Sequence, residues 1–223
     1  TIYGVHIENG AGKEKPDDQK IEHTQTREAG ENVGNYKITA SGETTQGNYT
    51  VTYKPGTLTI TAGSRPADRQ LSVTSYNGVY DAQKHTITVN NVLDGDVVEY
   101  SYDGGKTWTT DLTQYTDVTN TTIKVRVTNA NYDPNPVDLE GTVTITPKPV
   151  TVTARSYSKT FGAADPVFKA DTAGTLNGDK ITYDISRETG EDVGNYALTP
   201  SGEEVQGNYT VTYNSGKLTI TAS

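Results

Sequence analysis

Residues 101–108 read SYDGGKTW and hold the only tryptophan of the chain, Trp108. A carboxylate at Asp103, hydroxyls at Ser101 and Thr107 and an indole beside them are the residue types that bind or cleave a sugar. Cleavage needs more: a glycoside hydrolase sets two carboxylates across a cleft. The other close acid pairs, Asp94/Asp96 and Glu191/Asp192, fall in predicted turns, where solvated acids are the ordinary outcome. The three histidines, His6, His23 and His85, show no metal-ligand spacing such as HExxH. There is no GxSxG elbow and no P-loop, and the absence of Cys removes disulfides, thiolate metal sites and cysteine nucleophiles. The chain therefore reads as a non-enzyme, with no catalytic and no cofactor-binding residue assigned. For metals the reading stays open. The stretches LDGDVVEYSYDGG (93–105) and NYDPNPVD (131–138) place oxygen ligands in loops, as Ca²⁺ requires, without the EF-hand spacing.

The spacing S-x-D-x-G-x-T-W resembles the Asp-box of sialidases and related β-propellers. In those proteins the motif is a hairpin turn remote from the catalytic site, repeated once per blade. Here it occurs once, in a unit too short for a propeller of four-stranded blades. Asp103-Gly104-Gly105 is good turn chemistry in its own right. The expectation is a hairpin with Trp108 buried or half-buried.

The elements that position these residues follow from a repeat. Residues 27–62 (REAGENVGNYKITASGETTQGNYTVTYKPGTLTITA) and 187–222 (RETGEDVGNYALTPSGEEVQGNYTVTYNSGKLTITA) align without a gap, with 26 of 36 positions identical. A different unit lies between them and ends GTVTITP, much as the copies end GTLTITA and GKLTITA. In each closing strand apolar residues alternate with threonines: Leu58 and Ile60, Val143 and Ile145, Leu218 and Ile220. This gives three domains, 1–63, 64–147 and 148–223. The third opens with PVTVTARSYSKTFG; the first has no VTVTA, begins at TIYG, and is read as lacking its first strand. That predicts an unpaired edge in the first copy, covered in part by residues 2–7 or by a neighbouring molecule.

The fold class is all-β: tandem small antiparallel domains, Ig-like sandwiches or, for the two repeat copies, β-grasp-like. Strands HTITV, VVEYSY, TIKVRVT and TVTIT alternate in the middle unit, with Ile123, Val125 and Val127 inward and Lys124 and Arg126 in water. YTVTY-NSG-KLTIT reads as a hairpin, and TAGTLNGDK (172–180) as room for one helical turn. D-x-G-x-Y in EDVGNY, with Asn32 for Asp192 in the first copy, resembles the tyrosine corner of Ig-like sandwiches. Tyr36 and Tyr196 are thus expected to be equivalent, mostly buried and hydroxyl-bonded to backbone. The joints AGSRPADR (62–69) and TPKPVTV (146–152) are short, the second stiffened by Pro-Lys-Pro. Strands of ten residues span ~33 Å, so three units end to end would make a rod on the order of 100 Å. Its radius of gyration would exceed the ~17 Å of a compact chain of this length.

Composition sets the outer bounds. Hydrophobic content is 32% and formal net charge −9, which argues against nucleic acid and anionic membrane as partners. No apolar stretch approaches the ~18 residues of a membrane span. Tyr is abundant at 15 against 2 Phe, with much Thr and Val, as suits half-buried pleated surfaces. The chain starts at Thr1 without Met and is read as a processed product or an excised fragment.

KTFGAADP, LNGD, SRETGEDVGNYAL and GNYTVTYNSGKLTIT together resemble the MBG-type repeats of bacterial surface adhesins, over 148–222 and again over 19–62. YNGVYDAQKHTITV, VEYSYDGGKTW and VTNANY resemble the Ig-like repeats that accompany them in large Gram-positive surface proteins. The resemblance implies an extracellular, multi-repeat stalk or adhesin, anchored to the cell wall through a region outside these residues. It implies host glycoprotein, mucin or glycan as partners, besides neighbouring repeats of the same protein, and supplies no ligand-site residues. The alternative is a carbohydrate-binding accessory module of a secreted glycosidase. Gram-positive surface domains also carry Lys–Asn isopeptide bonds, which need a buried Lys, an Asn and an acid together.

Overall fold

The computed structural model describes residues 20–223. It is all-β, and among the described residues the one helical turn is the 3-10 turn Ala67–Arg69. Two compact units result. One holds the described residues up to Asp68 together with Thr128–Pro136; the other holds Arg69–Val127 and Val137–Ser223.

The carboxy-terminal repeat lies in the second unit as two four-stranded sheets. One orders its strands Ala170–Ala173, Lys148–Ala154, Tyr209–Asn214, Val205–Gln206; the other Tyr157–Thr160, Gly216–Thr221, Gly194–Ser201, Asp184–Arg187. Two-residue alternation decides which side chains meet between them. Val150, Val152, Leu198, Val211, Leu218 and Ile220 are buried, while Thr210 and Thr212 face water. Two stacked sheets without a helix realise the sandwich rather than the β-grasp alternative.

Three expectations are corrected. Pairing is mixed, not purely antiparallel: Lys148–Ala154 runs parallel to Tyr209–Asn214, and Tyr157–Thr160 parallel to Gly216–Thr221. A parallel neighbour needs a long crossover, and the intervening strands supply it. YTVTY and KLTIT do not form a hairpin, because they belong to opposite sheets. The chain steps between sheets at Gly216, where a Cβ would stand 2.4 Å from the Ala154 carbonyl oxygen and 2.7 Å from that of Arg155. Residues 172–180 form no helical turn: Gly174, Asn177 and Gly178 take positive φ of 102°, 52° and 78°, outside helical space.

In the middle segment a sheet orders Val97–Ser101, Thr119–Thr128, Val137–Thr146, Tyr76–Val79, beside a ribbon of Ser72–Thr74 and Thr88–Asn90. Ile123, Val125, Val127, Val143, Ile145 and Ile87 fill its core. Lys124 is exposed as expected; Arg126 is half-buried.

The first repeat keeps the register of the third. Gly34 pairs with Ile60 and Tyr36 with Leu58, as Gly194 pairs with Ile220 and Tyr196 with Leu218. Its packing is thinner among the described residues. Leu58 and Ile60 are half-buried, whereas Leu218 and Ile220 are 0% and 1% exposed. The strand at Tyr49–Thr50 is two residues long where its counterpart Tyr209–Asn214 has six. At the 27-to-187 offset the counterparts of Lys148–Ala154 fall before residue 1, and residues 2–7 lie outside the described residues. Amides at 49–53 and 57–61 are therefore expected to exchange faster than those at 209–213 and 217–221. Equal protection in dilute solution would show that the first copy is packed as fully as the third.

Candidate functional site

The tyrosine corner is present in both repeats. The Tyr196 hydroxyl donates to the Asp192 carbonyl at 2.9 Å, and Tyr36 to that of Asn32 at 2.7 Å. The acceptor is main chain, so Asn for Asp leaves this bond in place. Both rings are half-buried rather than mostly buried. One face of each is covered by a guanidinium instead of a core: Arg187 lies 5.0 Å from the Tyr196 centroid and Arg27 4.9 Å from that of Tyr36. Across the strand pair Thr219 donates to Asn195 Oδ1 (2.8 Å) and Thr59 to Asn35 Oδ1 (2.7 Å).

The middle segment repeats this corner without the tyrosine. Asp117-Val118-Thr119-Asn120 stands where the repeats have Asx-Val-Gly-Asn. Thr119 pairs with Ile145, and Thr144 donates to Asn120 Oδ1 at 3.2 Å. Reading the tyrosine alone misses it; the signal is Asx-Val-x-Asn at 32–35, 117–120 and 192–195.

Two of the three corners are clasped by an asparagine that precedes a tyrosine. In the second unit Val118 N donates to Asn208 Oδ1 (2.8 Å), and Asn208 Nδ2 donates to Asp117 Oδ1 (2.9 Å). Lys148 N donates to the Asn208 carbonyl (2.9 Å). In the first unit Val33 N donates to Asn131 Oδ1 (2.8 Å), Asn131 Nδ2 to Asn32 Oδ1 (2.9 Å), and Gly63 N to the Asn131 carbonyl (3.0 Å). The following tyrosine starts a parallel pairing each time, Tyr209 with Lys148 and Tyr132 with Gly63. The Asn208 side-chain amide offers an acceptor and a donor on two adjacent atoms, matched to the Val118 amide and the Asp117 carboxylate, and the bond to the carboxylate is charge-assisted.

Local chemistry aims each asparagine. Gly207 takes φ +58°, and Gln206 bridges both main-chain atoms of Thr182, accepting from its N (2.9 Å) and donating to its O (2.8 Å). Around Asn131, Asn131 N donates to Asn129 Oδ1 (3.1 Å) and Asn129 N to Asn135 Oδ1 (3.0 Å). GNY and NANY are legible in the sequence as repeat signatures, but nothing in either marks the two as one clasp.

The KTFGAADP segment forms a charge cluster. Lys159 Nζ sits between Asp165 Oδ1 (2.7 Å) and Glu191 Oε2 (2.6 Å), and Arg187 reaches the same two acids at 3.1 Å each. Hydrogen bonding to Asp165, then to Glu191, holds the Lys159 ammonium above its ordinary pKa. Lys159 is thus a buried cation paired with two carboxylates.

SYDGGKTW is the expected hairpin turn. Asp103 Oδ1 accepts from Ser101 Oγ (2.8 Å), Lys106 N (2.9 Å) and Thr107 N (3.0 Å), and its Oδ2 accepts from Thr107 Oγ1 (2.7 Å). These bonds, led by the Thr107 amide, hold the carboxyl far below the usual carboxylate range. A folded-state pKa below the unfolded one gives stability that is present above about pH 4 and lost as pH falls through the folded value. Asp103→Asn is expected to lower the melting temperature at pH 7 and to flatten its decline below pH 4. An unchanged acid limb would show that the turn does not depend on the charge.

Trp108 is half-buried beside this turn. It lines a depression of about 380 Å³ with Lys124, Arg126, Asp138 and Glu140. Arg126 lies 4.3 Å from the ring and bonds Asp138 through Nε (2.8 Å) and Nη2 (3.3 Å). Of the two carboxylates lining the depression, that of Asp138 is tied to a guanidinium.

The remaining candidate residues are scattered. His6 lies outside the described residues; His23 Nδ1 is 3.3 Å from the Ile21 carbonyl. His85 stacks on Tyr76 (3.8 Å) and meets Asp81 at 2.9 Å. Asp96 accepts from Leu93 N (2.8 Å). Among the described residues no three His, Cys, Asp or Glu side chains are grouped to hold a metal ion. Nor is any helix there long and apolar enough to cross a membrane.

The family described as MBG domain (YGX type) matches residues 11–59 and 150–219, more than half of the chain. No curated protein matches. Among solved structures, human mucin-like protocadherin EC1-2 aligns at 10% identity over 70% of this chain and 100% of that one, with a TM-score of 0.25. The human desmocollin-1 ectodomain aligns at 11% identity over 85% of this chain, with a TM-score of 0.24. The chain spans about half of that ectodomain, 48%.

Proposed function

Because the chain belongs to the MBG family, YGX type, a family of repeat domains of surface proteins, we propose that it is a non-enzymatic, extracellular repeat region of a bacterial surface adhesin that works as a spacer. The observation that carries this reading is the asparagine clasp, made twice with the same three hydrogen bonds. A spacer must resist bending where one β-module follows another, and a clasp fixed at three atoms does so.

The test is Asn208→Ala. It removes two of the three bonds, each worth about 1 kcal/mol net. Val118 is expected to exchange its amide proton about tenfold faster, with the strands at Gly194–Ser201 and Gly216–Thr221 unaffected. An unchanged Val118 rate would overturn the clasp as a stiffening device. A second reading, a binding module for mucin or glycans, is favoured by the Trp108 depression. Retention of the chain on mucin or a glycan array, lost in Trp108→Ala, would establish it; consistent silence would leave the spacer.

A further inference from the structure

Among the described residues there are three Asx-Val corners, and asparagines clasp two of them. Asp192–Val193, the third, has the same backbone hydrogen bond to its tyrosine and the same threonine–asparagine bond behind it. Its surface differs. Val33 and Val118 in the clasped corners are 38% and 37% exposed; Val193 is 59% exposed. Among the described residues the complementary half is also unfilled in the first repeat. Asn48 of Gln46-Gly47-Asn48-Tyr49 matches Asn208 of Gln206-Gly207-Asn208-Tyr209, with Gly47 at φ +61° against Gly207 at +58°, yet Asn48 is exposed where Asn208 is half-buried.

We infer that Asp192–Val193 is a docking site for the Asn-Tyr loop of a further β-module joined in tandem. The chemistry is set by the two filled corners. The Val193 amide would donate to the incoming Asn Oδ1, as Val118 and Val33 do. The Asp192 carboxylate would accept from Nδ2, as Asp117 does from Asn208. The incoming main-chain carbonyl would take an amide just past the closing strand Gly216–Thr221, where Gly63 follows Gly56–Ile60. A tethered module is favoured over a loose partner because the third bond comes from the connecting chain itself, which holds the loop at high effective concentration. The inference rests on the clasp reading above.

The experiment joins the sequence to itself, so that Ala222 is followed by Gly63 and the chain continues to Ser223. This places the module carrying Asn131 after the open corner. Amide exchange at Val193 is expected to slow about tenfold relative to the unextended chain, toward the rate of Val33. It should return to the original rate when the appended counterpart of Asn131 is changed to Ala. Val33 and Val118 report on folding and on the existing clasps in the same sample. An unchanged Val193 rate with both of these still protected would overturn the inference and leave the spacer reading intact. Val33 and Val118 unprotected from the start would overturn the spacer reading. If Val193 slows in the unextended chain as its concentration rises, and Asn48→Ala abolishes this, a second copy fills the corner and the tandem occupant is wrong.

Discussion

Replacing Tyr209 by alanine is expected to destabilise the second unit by about 4 kcal/mol, in the range of buried aromatic truncations. Its ring is 4% exposed and meets Tyr80 edge to face at 5.6 Å. Its hydroxyl donates to Asp179 Oδ2 (2.6 Å) and accepts from Leu176 N (3.0 Å). Burial, reinforced by Asp179, pushes the phenol above its ordinary pKa, so the donor stays protonated across the neutral range. Tyr209→Phe keeps the ring contact and loses both bonds, leaving the Leu176 amide without its acceptor; the expected cost is about 1 to 2 kcal/mol. Tyr80 belongs to the middle segment and Tyr209 to the third repeat, so the pair is part of one continuous core. A Tyr80→Ala/Tyr209→Ala cycle is expected to show coupling of about 1 kcal/mol. Urea unfolding followed by Trp108 fluorescence reads all of these. A loss below 1 kcal/mol for Tyr209→Ala would mean that the ring is not a core residue in solution.

The repeats, the strand class and the inward faces were legible because they follow from local pattern. Alternation at Ile123, Val125 and Val127, or Leu218 and Ile220, is fixed by the two-residue period of a strand wherever that strand pairs. Pairing partners were not legible. Nothing in YTVTY-NSG-KLTIT separates a hairpin from a step between sheets, because the decision lies in the backbone of Ala154 and Arg155, about sixty residues upstream, pressing on Gly216. The tyrosine corner is legible in D-x-G-x-Y, but the half-burial of its ring is not, since a guanidinium from Arg187 covers the ring in place of a core. The turn role of Asp103 was legible from Asp-Gly-Gly; the bonding of Arg126 to Asp138 over Trp108 was not, for it joins two strands and a hairpin. The clasp was hardest to see. Its parts are single asparagines in common surroundings, and contacts such as Asn208 with Asp117, 91 residues apart, are set by tertiary structure alone.

Gly190→Ala is expected to cost the second unit about 3 kcal/mol, a small residue doing more harm than many large truncations. Gly190 holds φ at +148°, a region L side chains rarely adopt, and a Cβ there would stand 2.1 Å from Tyr196 Cε1 and 2.9 Å from its hydroxyl oxygen. The ring cannot swing aside cheaply. Its hydroxyl is tied to the Asp192 carbonyl, Arg187 lies over its face, and the same arginine donates to the Gly190 carbonyl. Glu191, next in the chain, holds Lys159, so a shifted corner also disturbs the four-charge cluster. The two contributions can be separated. In a Tyr196→Ala background the steric overlap is gone and only the φ strain remains, so the same substitution should cost about 1 kcal/mol. Gly30 faces Tyr36 in the same way, at 2.2 Å and φ +141°, and Gly30→Ala should behave alike in the first unit. Equal costs for Gly190→Ala with and without the tyrosine would show that backbone conformation alone, not the ring, requires glycine at this corner.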